Sequence, residues 1–316
     1  MAPIHTQAPV QTSAQTLAQT LPQARRRAIL FVLGSSASFA AASGLVKVAA
    51  PEIPTVELML FRSFVAFLCL IPLIVRGGGW TVLHTRRPLS HALRSAAGLG
   101  GMFGTFYGLA HLPIAAVTAL GFAMPIVLAM LSVPMLQERL TAARMVSIVA
   151  GLVGVLLVVR PWRPPETGLT DSAGGLPLFE TGVVLAGVAA WALAMASIRR
   201  MGQSGERNVT IVVLFSLCCT LATLVLTVPV WVTPRLALWP VLIGIGAISA
   251  GAQLLMTEGY RSGEASMLAP FEYSAIFYTV LLGWTVWGEV PGTWEAAGMT
   301  ILVISGLFTW WREGRS

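Results

Sequence analysis

Charged side chains are scarce in this sequence. They make up 10% of the 316 residues, whereas a soluble domain carries about 25%. Apolar residues make up 56%, and the mean hydropathy is +0.78. A chain this apolar cannot stay soluble as one globule. The composition therefore predicts a protein that crosses a membrane many times.

Cysteine and histidine are also few. Cys69, Cys218 and Cys219 lie in apolar runs, without C-x-x-C spacing and without a neighbouring histidine. We expect these thiols to pack as small apolar side chains rather than to form a metal or redox site. The sequence contains no H-E-x-x-H, no G-x-S-x-G and no nucleotide-binding P-loop. It therefore predicts no enzyme activity, no metal, no cofactor and no step driven by ATP.

Lysine is almost missing, since Lys47 is the only one among 20 basic residues. The net charge of +7 comes from arginines in short connections between apolar runs. No basic stripe with interleaved aromatic residues lies outside these runs, so we expect no nucleic-acid partner. Basic residues in such connections orient helices in a bilayer instead.

Long apolar runs are what the sequence does contain. Each is close to the roughly 20 residues that a helix needs to cross the hydrocarbon, and the runs are continuous rather than alternating, which favours helices over a barrel. The fold class predicted is an all-α membrane protein with ten transmembrane helices, at residues 28–48, 55–75, 94–111, 114–136, 143–159, 179–198, 209–231, 237–257, 265–287 and 293–311.

The segments around these runs predict the topology. Residues 1–24 are rich in Gln, Thr, Ala and Pro, which favours a disordered cytoplasmic leader. With the N-terminus inside, cytoplasmic segments hold 15 of the 20 basic residues, Arg94 among them, and outer segments hold four, including Lys47. This asymmetry predicts an inner-membrane protein with both termini in the cytoplasm.

The chain repeats itself faintly. An offset of 151 residues relates Gly108 to Gly259 and Glu138 to Glu289, and an apolar run interrupted by a proline lies within each copy. The repeats are expected at 25–161 and 179–313, joined by a periplasmic linker at 162–178. Since five spans is an odd number, the two repeats are inverted, which is typical of secondary transporters with a site between the repeats.

Five stretches of the sequence resemble the EamA-like branch of the drug/metabolite transporter superfamily. They are 57–66, 107–113, 137–140, 288–291 and 306–313, and the resemblance extends over residues 28–313. It implies a ten-helix, inverted-repeat carrier of small organic molecules. The expected function is export of an amino acid or a similar compound, with uptake of a vitamin or cofactor such as riboflavin or S-adenosylmethionine as the alternative. The sequence leaves open whether the chain forms a homodimer.

Glu272 is the first candidate for a substrate contact. A carboxylate at membrane depth is costly unless it meets a partner or water, so Glu272 is expected to bind a substrate cation or to carry a coupling proton. The alternative is a structural pair with an arginine near the cytoplasmic face. Pro270 removes a backbone donor and can open the helix locally beside Glu272 and Tyr273.

Three further charged residues have structural or gating roles in this interpretation. Arg62 in the second span matches an arginine typical of the family, and we expect it to brace helices more than to touch substrate. Glu138 and Glu289 are equivalent positions of the two repeats. They are expected to cap the N-terminus of the next helix, with gating as the alternative.

Uncharged candidates complete the predicted site. Trp191 and Tyr107, together with Tyr273, lie on spans expected to line a central cavity, where a ring can stack on a flat or cationic substrate. Ser38 and Gln253 are secondary candidates, because a hydroxyl or amide at mid-membrane needs a partner. Ordinary packing is the alternative for each. A channel is disfavoured by the sparse intramembrane polar residues, and a receptor by the short loops.

Overall fold

The structure, a computed structural model, describes residues 10–76, 79, 83–85, 87–124, 127, 142–163, 175–203, 205–262 and 271–313. Within these ranges the chain forms ten α-helices, which confirms the predicted fold class. They are α1 Val10–Ala49, α2 Thr55–Arg76, α3 Pro88–His111, α4 Ile114–Gly121, α5 Ala142–Val159, α6 Leu178–Gln203, α7 Asn208–Thr227, α8 Trp239–Ser262, α9 Ser274–Leu282 and α10 Thr293–Glu313.

Five of the described helices are long and apolar enough to cross a bilayer without further residues. These spans are Arg26–Ala49, Thr55–Arg76, Leu178–Ile198, Val209–Val230 and Leu236–Met256. Their outer faces carry exposed apolar side chains such as Val225, which is 71% exposed, because lipid rather than water covers them. The chain is therefore a multi-pass membrane protein.

Two helix starts differ from the sequence-based boundaries. The helix α1 begins at Val10, within the segment predicted to be a leader, because the Gln and Ala residues there are good helix formers. The helix α3 begins at Pro88 instead of residue 94, since a proline is well suited to the first turn of a helix. Arg94 therefore lies inside α3, not in a connection.

The packing between the two repeats follows their symmetry. The helix α1 packs on α8 and α3 packs on α6, while α2 packs on α7 and α5 on α10. Weaker contacts join α2 to α8, α3 to α7, α1 to α9 and α4 to α6. Each helix of the first repeat has an equivalent five places later in the second. Replacing every helix by its equivalent gives the same set of pairs again. The bundle is thus held together mainly by symmetry-related contacts between repeats.

Glycines allow the closest of these crossings. In the contact between α3 and α6, a Cβ atom added to Gly187 would lie 2.7 Å from Cα of Gly104. Between α5 and α10, a Cβ on Gly298 would lie 2.6 Å from the backbone oxygen of Gly154. Backbones that approach this closely gain van der Waals contact that larger residues would prevent, which is a main source of helix association in lipid.

We predict that Gly187→Ala lowers the thermal unfolding midpoint of the detergent-purified protein. The added methyl group would overlap backbone atoms of α3, and overpacking of this kind costs roughly 1–3 kcal/mol. Gly182→Ala on the same helix is the matched control, because nothing lies within 4 Å of its added Cβ. Equal midpoints for the two variants would contradict the close crossing.

Candidate functional site

A buried ion pair joins the two repeats where α1 ends. Nζ of Lys47 lies 2.5 Å from Oε1 of Glu289 and 3.0 Å from the carbonyl oxygen of Leu112. The side chains of Lys47 and Glu289 are only 10% and 6% exposed. Oε2 of Glu289 accepts a hydrogen bond of 3.1 Å from the backbone N–H of Ile114. We call these four residues the Lys47 latch, and the end of the bundle that contains them the Lys47 end.

Local sequence explains how the latch forms. Lys47 lies in the last turn of α1, where the helix dipole favours a cation. The helix α4 has Pro113 at its N-cap, which provides no side-chain oxygen, so the first N–H of α4 needs an acceptor from elsewhere. The π-helical turn Gly283–Trp287 and Gly288, which has a φ of 70°, direct Glu289 back toward it.

Glu289 therefore caps a helix, but not the one expected. The sequence-based expectation was a cap on the next helix, α10. The carboxylate caps α4 of the other repeat instead, because Gly288 reverses the chain. At the start of α10 a local carboxylate takes this place, since Glu295 accepts a hydrogen bond of 3.2 Å from the Gly292 N–H.

Three other polar contacts at the Lys47 end also connect the repeats. Glu52 pairs with Arg235 at the surface. Oε2 of Glu57, a fully buried residue, accepts a hydrogen bond of 3.0 Å from the Val232 N–H. Nη2 of Arg160 lies 3.4 Å from Oε1 of Glu295. Separating the repeats at this end would break all of these contacts together with the latch.

The opposite end of the bundle has a smaller polar cluster among the described residues. Glu206 accepts a hydrogen bond of 2.8 Å from Oγ1 of Thr85, and its other carboxylate oxygen lies 3.8 Å from Nε2 of His91. This cluster also joins the first repeat to the second.

Two arginines lie in the interior between these ends. Nη1 of Arg62 on α2 lies 3.0 Å from Sδ of Met102 on α3. The guanidinium of Arg94 on α3 is 4.0 Å from the ring centroid of Phe215 and 5.8 Å from that of Trp191. We call Arg62 and Arg94 the arginine cluster.

The two remaining candidates at the start of the described part of span nine are half-buried. Glu272 lies beside Tyr273, whose ring stacks on Phe122 with centroids 4.7 Å apart. Tyr273 also fills the space over Gly306, where a Cβ would overlap its hydroxyl. Tyr273 thus packs between α4 and α10. Pro270 and Glu138 lie outside the described residues.

Trp191 lies at the arginine cluster, whereas Tyr107 does not. The Trp191 side chain covers Gly101, where an added Cβ would lie 2.9 Å from it. The Trp191 ring also lies next to the Arg94 guanidinium. At 3.6 residues per turn, Tyr107 is roughly 140° around α3 from Arg94. It stacks on His111 and Phe103, both exposed. A substrate contact by Tyr107 stays a prediction that its position does not favour.

Ser38 and Gln253 lie on the two helices of one crossing. Oγ of Ser38 donates to the Gly34 carbonyl of its own helix at 2.7 Å. The neighbouring Ser35 bonds across to α8, donating to the Ala252 carbonyl at 3.0 Å. Gln253 follows Ala252 and is half-buried. Their substrate roles stay predictions.

Sequence reasoning missed the burial of two charged side chains, and for the same reason. Lys47 and Arg94 were both counted as connection residues that orient the bundle. Each lies within a helix and is buried. Two features of the sequence could have indicated this burial. One is the single lysine close to a helix end, and the other is Pro88, which places Arg94 in the second turn of α3.

A family model decides the classification. The model of the EamA-like transporter family matches residues 26–160 and 179–311, so each five-helix repeat is matched. The chain belongs to this family. The chain also matches several curated transporters over most of their length.

The chain is similar to the "Riboflavin transporter" of Brucella anthropi, with 27% identity over 79% of this chain and 86% of the relative. It is equally similar to the "Pseudopaline exporter CntI" of Pseudomonas aeruginosa, with 27% identity over 88% and 93%. The "S-adenosylmethionine uptake transporter" of Rickettsia prowazekii is 23% identical over 82% and 84%. Family and relatives indicate a small-molecule transporter rather than an enzyme.

One solved crystal structure supports the fold of this EamA-like chain. It aligns with a TM-score of 0.60 and 18% identity, over 92% of this chain and 96% of its own. At this identity the similarity concerns the fold alone.

We predict that Lys47 and Glu289 are strongly coupled in a double-mutant cycle. Lys47→Met or Glu289→Gln alone leaves the other charge buried without its counter-ion, so each is expected to destabilise by about 3–5 kcal/mol. The double variant is expected to lose less than the sum, by about 1–3 kcal/mol. Unfolding of the purified protein in detergent measures these free energies.

The Glu52–Arg235 pair provides the control for this cycle. Its side chains are 38% and 71% exposed, so Glu52→Gln and Arg235→Gln should show a coupling below about 1 kcal/mol. Equal coupling energies for the two pairs would contradict a special role of the buried latch.

Proposed function

We propose that the chain is a secondary carrier that exports an amino acid or an amino-acid-like compound across the inner membrane by alternating access. The observation that carries this proposal is the closure of one end of the bundle by contacts that all join the first repeat to the second. The latch and the three contacts around it begin at the ends of helices in the first repeat. Each of them joins that repeat to the second. A bundle closed in this way must rearrange between repeats to open.

The positive-inside rule supports a direction for the closed end. With both termini in the cytoplasm, the Lys47 end faces the periplasm, so the latch and its neighbouring contacts close the periplasmic side. Symmetry between inverted repeats supports a second conformation in which the Lys47 end has separated and the opposite end holds the repeats together. Glu289 and Lys47 act as a gate in this proposal, and Glu206 with its partners contributes to closure at the cytoplasmic end.

The substrate proposal rests on the interior charges and on one relative. Glu272 is suited to a substrate amine, and a carrier named as an exporter is among the similar proteins. Uptake of a flat cofactor is the alternative, favoured by relatives named for riboflavin and S-adenosylmethionine and by the Trp191 ring in the interior.

Counterflow in proteoliposomes tests the carrier. Vesicles preloaded with unlabelled amino acids should accumulate a labelled amino acid from outside faster than empty vesicles, because a carrier returns more rapidly when it is loaded. Accumulation should saturate and need no ATP. Equal uptake by loaded and empty vesicles would contradict alternating access, and counterflow with riboflavin or S-adenosylmethionine alone would favour the alternative.

We predict that Glu272→Gln reduces transport of compounds that carry an amine. The variant keeps the size of the side chain but removes the charge that would bind an ammonium group, and a charged hydrogen bond contributes about 1.5–3 kcal/mol, or roughly 10- to 150-fold in apparent affinity. The counterflow assay measures this loss. Glu180→Gln in the first turn of α6, a position outside both the candidate site and the gate, is the matched control and should leave transport unchanged. Unaltered affinity and pH dependence in Glu272→Gln would remove Glu272 from the site.

A further inference from the structure

The arginine cluster has no counter-ion among the described residues. Arg94 is 6% exposed, and its Nε and Nη1 atoms have no hydrogen-bond acceptor. Neither Arg94 nor Arg62 forms an ion pair in the described part of the chain. The carboxylates with assigned contacts are engaged elsewhere, at Glu52, Glu57, Glu206, Glu289 and Glu295.

The aromatic neighbours compensate only part of this charge. Phe215 offers its ring face at 4.0 Å from the Arg94 guanidinium, and Trp191 lies farther away at 5.8 Å. Cation–π contacts and a thioether sulfur attract a guanidinium more weakly than a carboxylate does. Arg62 and Arg94 carry like charges, which repel rather than neutralise each other. A buried cationic pair of this kind is electrostatically incomplete until an anion joins it.

The cluster lies deep in the bundle and between the repeats. Arg62 is the eighth residue of α2 counted from the Lys47 end, and Arg94 is the seventh residue of α3 counted from the opposite end. Arg62 contacts Met102, and Nη1 of Arg94 lies over Gly98, one turn before Met102 in the middle of α3. The arginines therefore converge from opposite ends on mid-depth, beside α6 and α7 of the second repeat.

We propose that Arg62 and Arg94 bind the carboxylate of the transported molecule. The substrate class is then an organic acid or a zwitterion, with an apolar or aromatic part that Trp191 and Phe215 contact. Neutral compounds and compounds that are only cationic are disfavoured, because they would leave both guanidinium groups unpaired. This inference rests on the proposed carrier function and specifies its substrate.

A binding experiment tests the arginine cluster independently of transport. The probes are sodium benzoate and benzamide, which differ in the carboxylate, added to the purified protein at matched ionic strength. Benzoate should raise the unfolding midpoint of the wild type above the values with benzamide or chloride, and should not do so in Arg94→Gln. Equal unfolding midpoints of the wild type with benzoate and with benzamide would overturn the proposal, independently of any transport result.

Efflux from proteoliposomes tests the substrate class. The vesicles are loaded with a defined mixture of amino acids, the corresponding amino-acid amides, riboflavin and S-adenosylmethionine, and released compounds are identified by mass spectrometry. Amino acids should leave and their amides should be retained. Release of amides or riboflavin at the same rate would overturn the anionic substrate class. If nothing is released while benzoate still binds, the carrier function fails and the anion site stands.

Substitutions separate binding from a structural role. Arg94→Gln and Arg62→Gln should each lower amino-acid efflux by about tenfold or more, the loss expected for a charged hydrogen bond. Their unfolding midpoints should stay equal to the wild type or rise, because an unpaired buried charge is removed. Arg94→Lys should restore part of the efflux.

Arg312→Gln is the matched control. Arg312 is exposed, and its guanidinium also lies against two rings, those of Phe308 and Trp311, at 6.0 Å each. This variant should change neither efflux nor benzoate binding. If Arg94→Gln lowered the unfolding midpoint and left benzoate binding intact, Arg94 would be a brace between α3 and α7, and the proposal would be wrong. Arg62→Gln with benzoate gives the same decision if Arg94→Gln does not fold.

Discussion

The ion pair between Lys47 and Glu289 fixes how the two repeats meet at one end of the bundle. It depends on features that no single helix contains: the last turn of α1, an N-cap proline that leaves the start of α4 without a side-chain acceptor, and a glycine in the left-handed region. Burial strengthens the attraction and makes the loss of either partner costly. The contact is therefore stable when intact and cooperative when it breaks, which suits a junction between two packed states.

The cost of burying a charge also applies in the interior of the bundle, but there it is not met by an ion pair among the described residues. Lipid and packed helices offer no water to solvate a charge, so every buried charge must find its partner in the chain or in a molecule that the chain binds. Lys47 has its partner in Glu289. The guanidinium of Arg94 lies against aromatic rings instead. Among the described residues, the charges of Lys47 and Arg160 at the Lys47 end are thus paired within the chain, whereas Arg94 forms no ion pair.

Hydropathy sufficed to predict the helices, because the need for about 20 apolar residues per span acts locally on the sequence. It also predicted two repeats, since five spans per half can be counted. Contacts between distant residues could not be derived in this way. The cap that Glu289 provides for Ile114 joins positions 175 residues apart, and the stacking of Arg94 on Phe215 requires α3 and α7 to be adjacent. The glycines at 104 and 187 were visible as small residues, but only the crossing angle of α3 and α6 makes them meet.

The position of the only lysine has a practical consequence. Because Lys47 is the sole side-chain amine in the chain and is 10% exposed, isotope labelling of lysine introduces one signal, and that signal belongs to the junction between the repeats. Its chemical shift reports on the carboxylate beside it. Amine-directed reagents likewise have one side chain to modify, and they reach it only in molecules in which the junction between the repeats has separated. The scarcity of lysine thus makes the junction between the repeats observable at a single nitrogen atom.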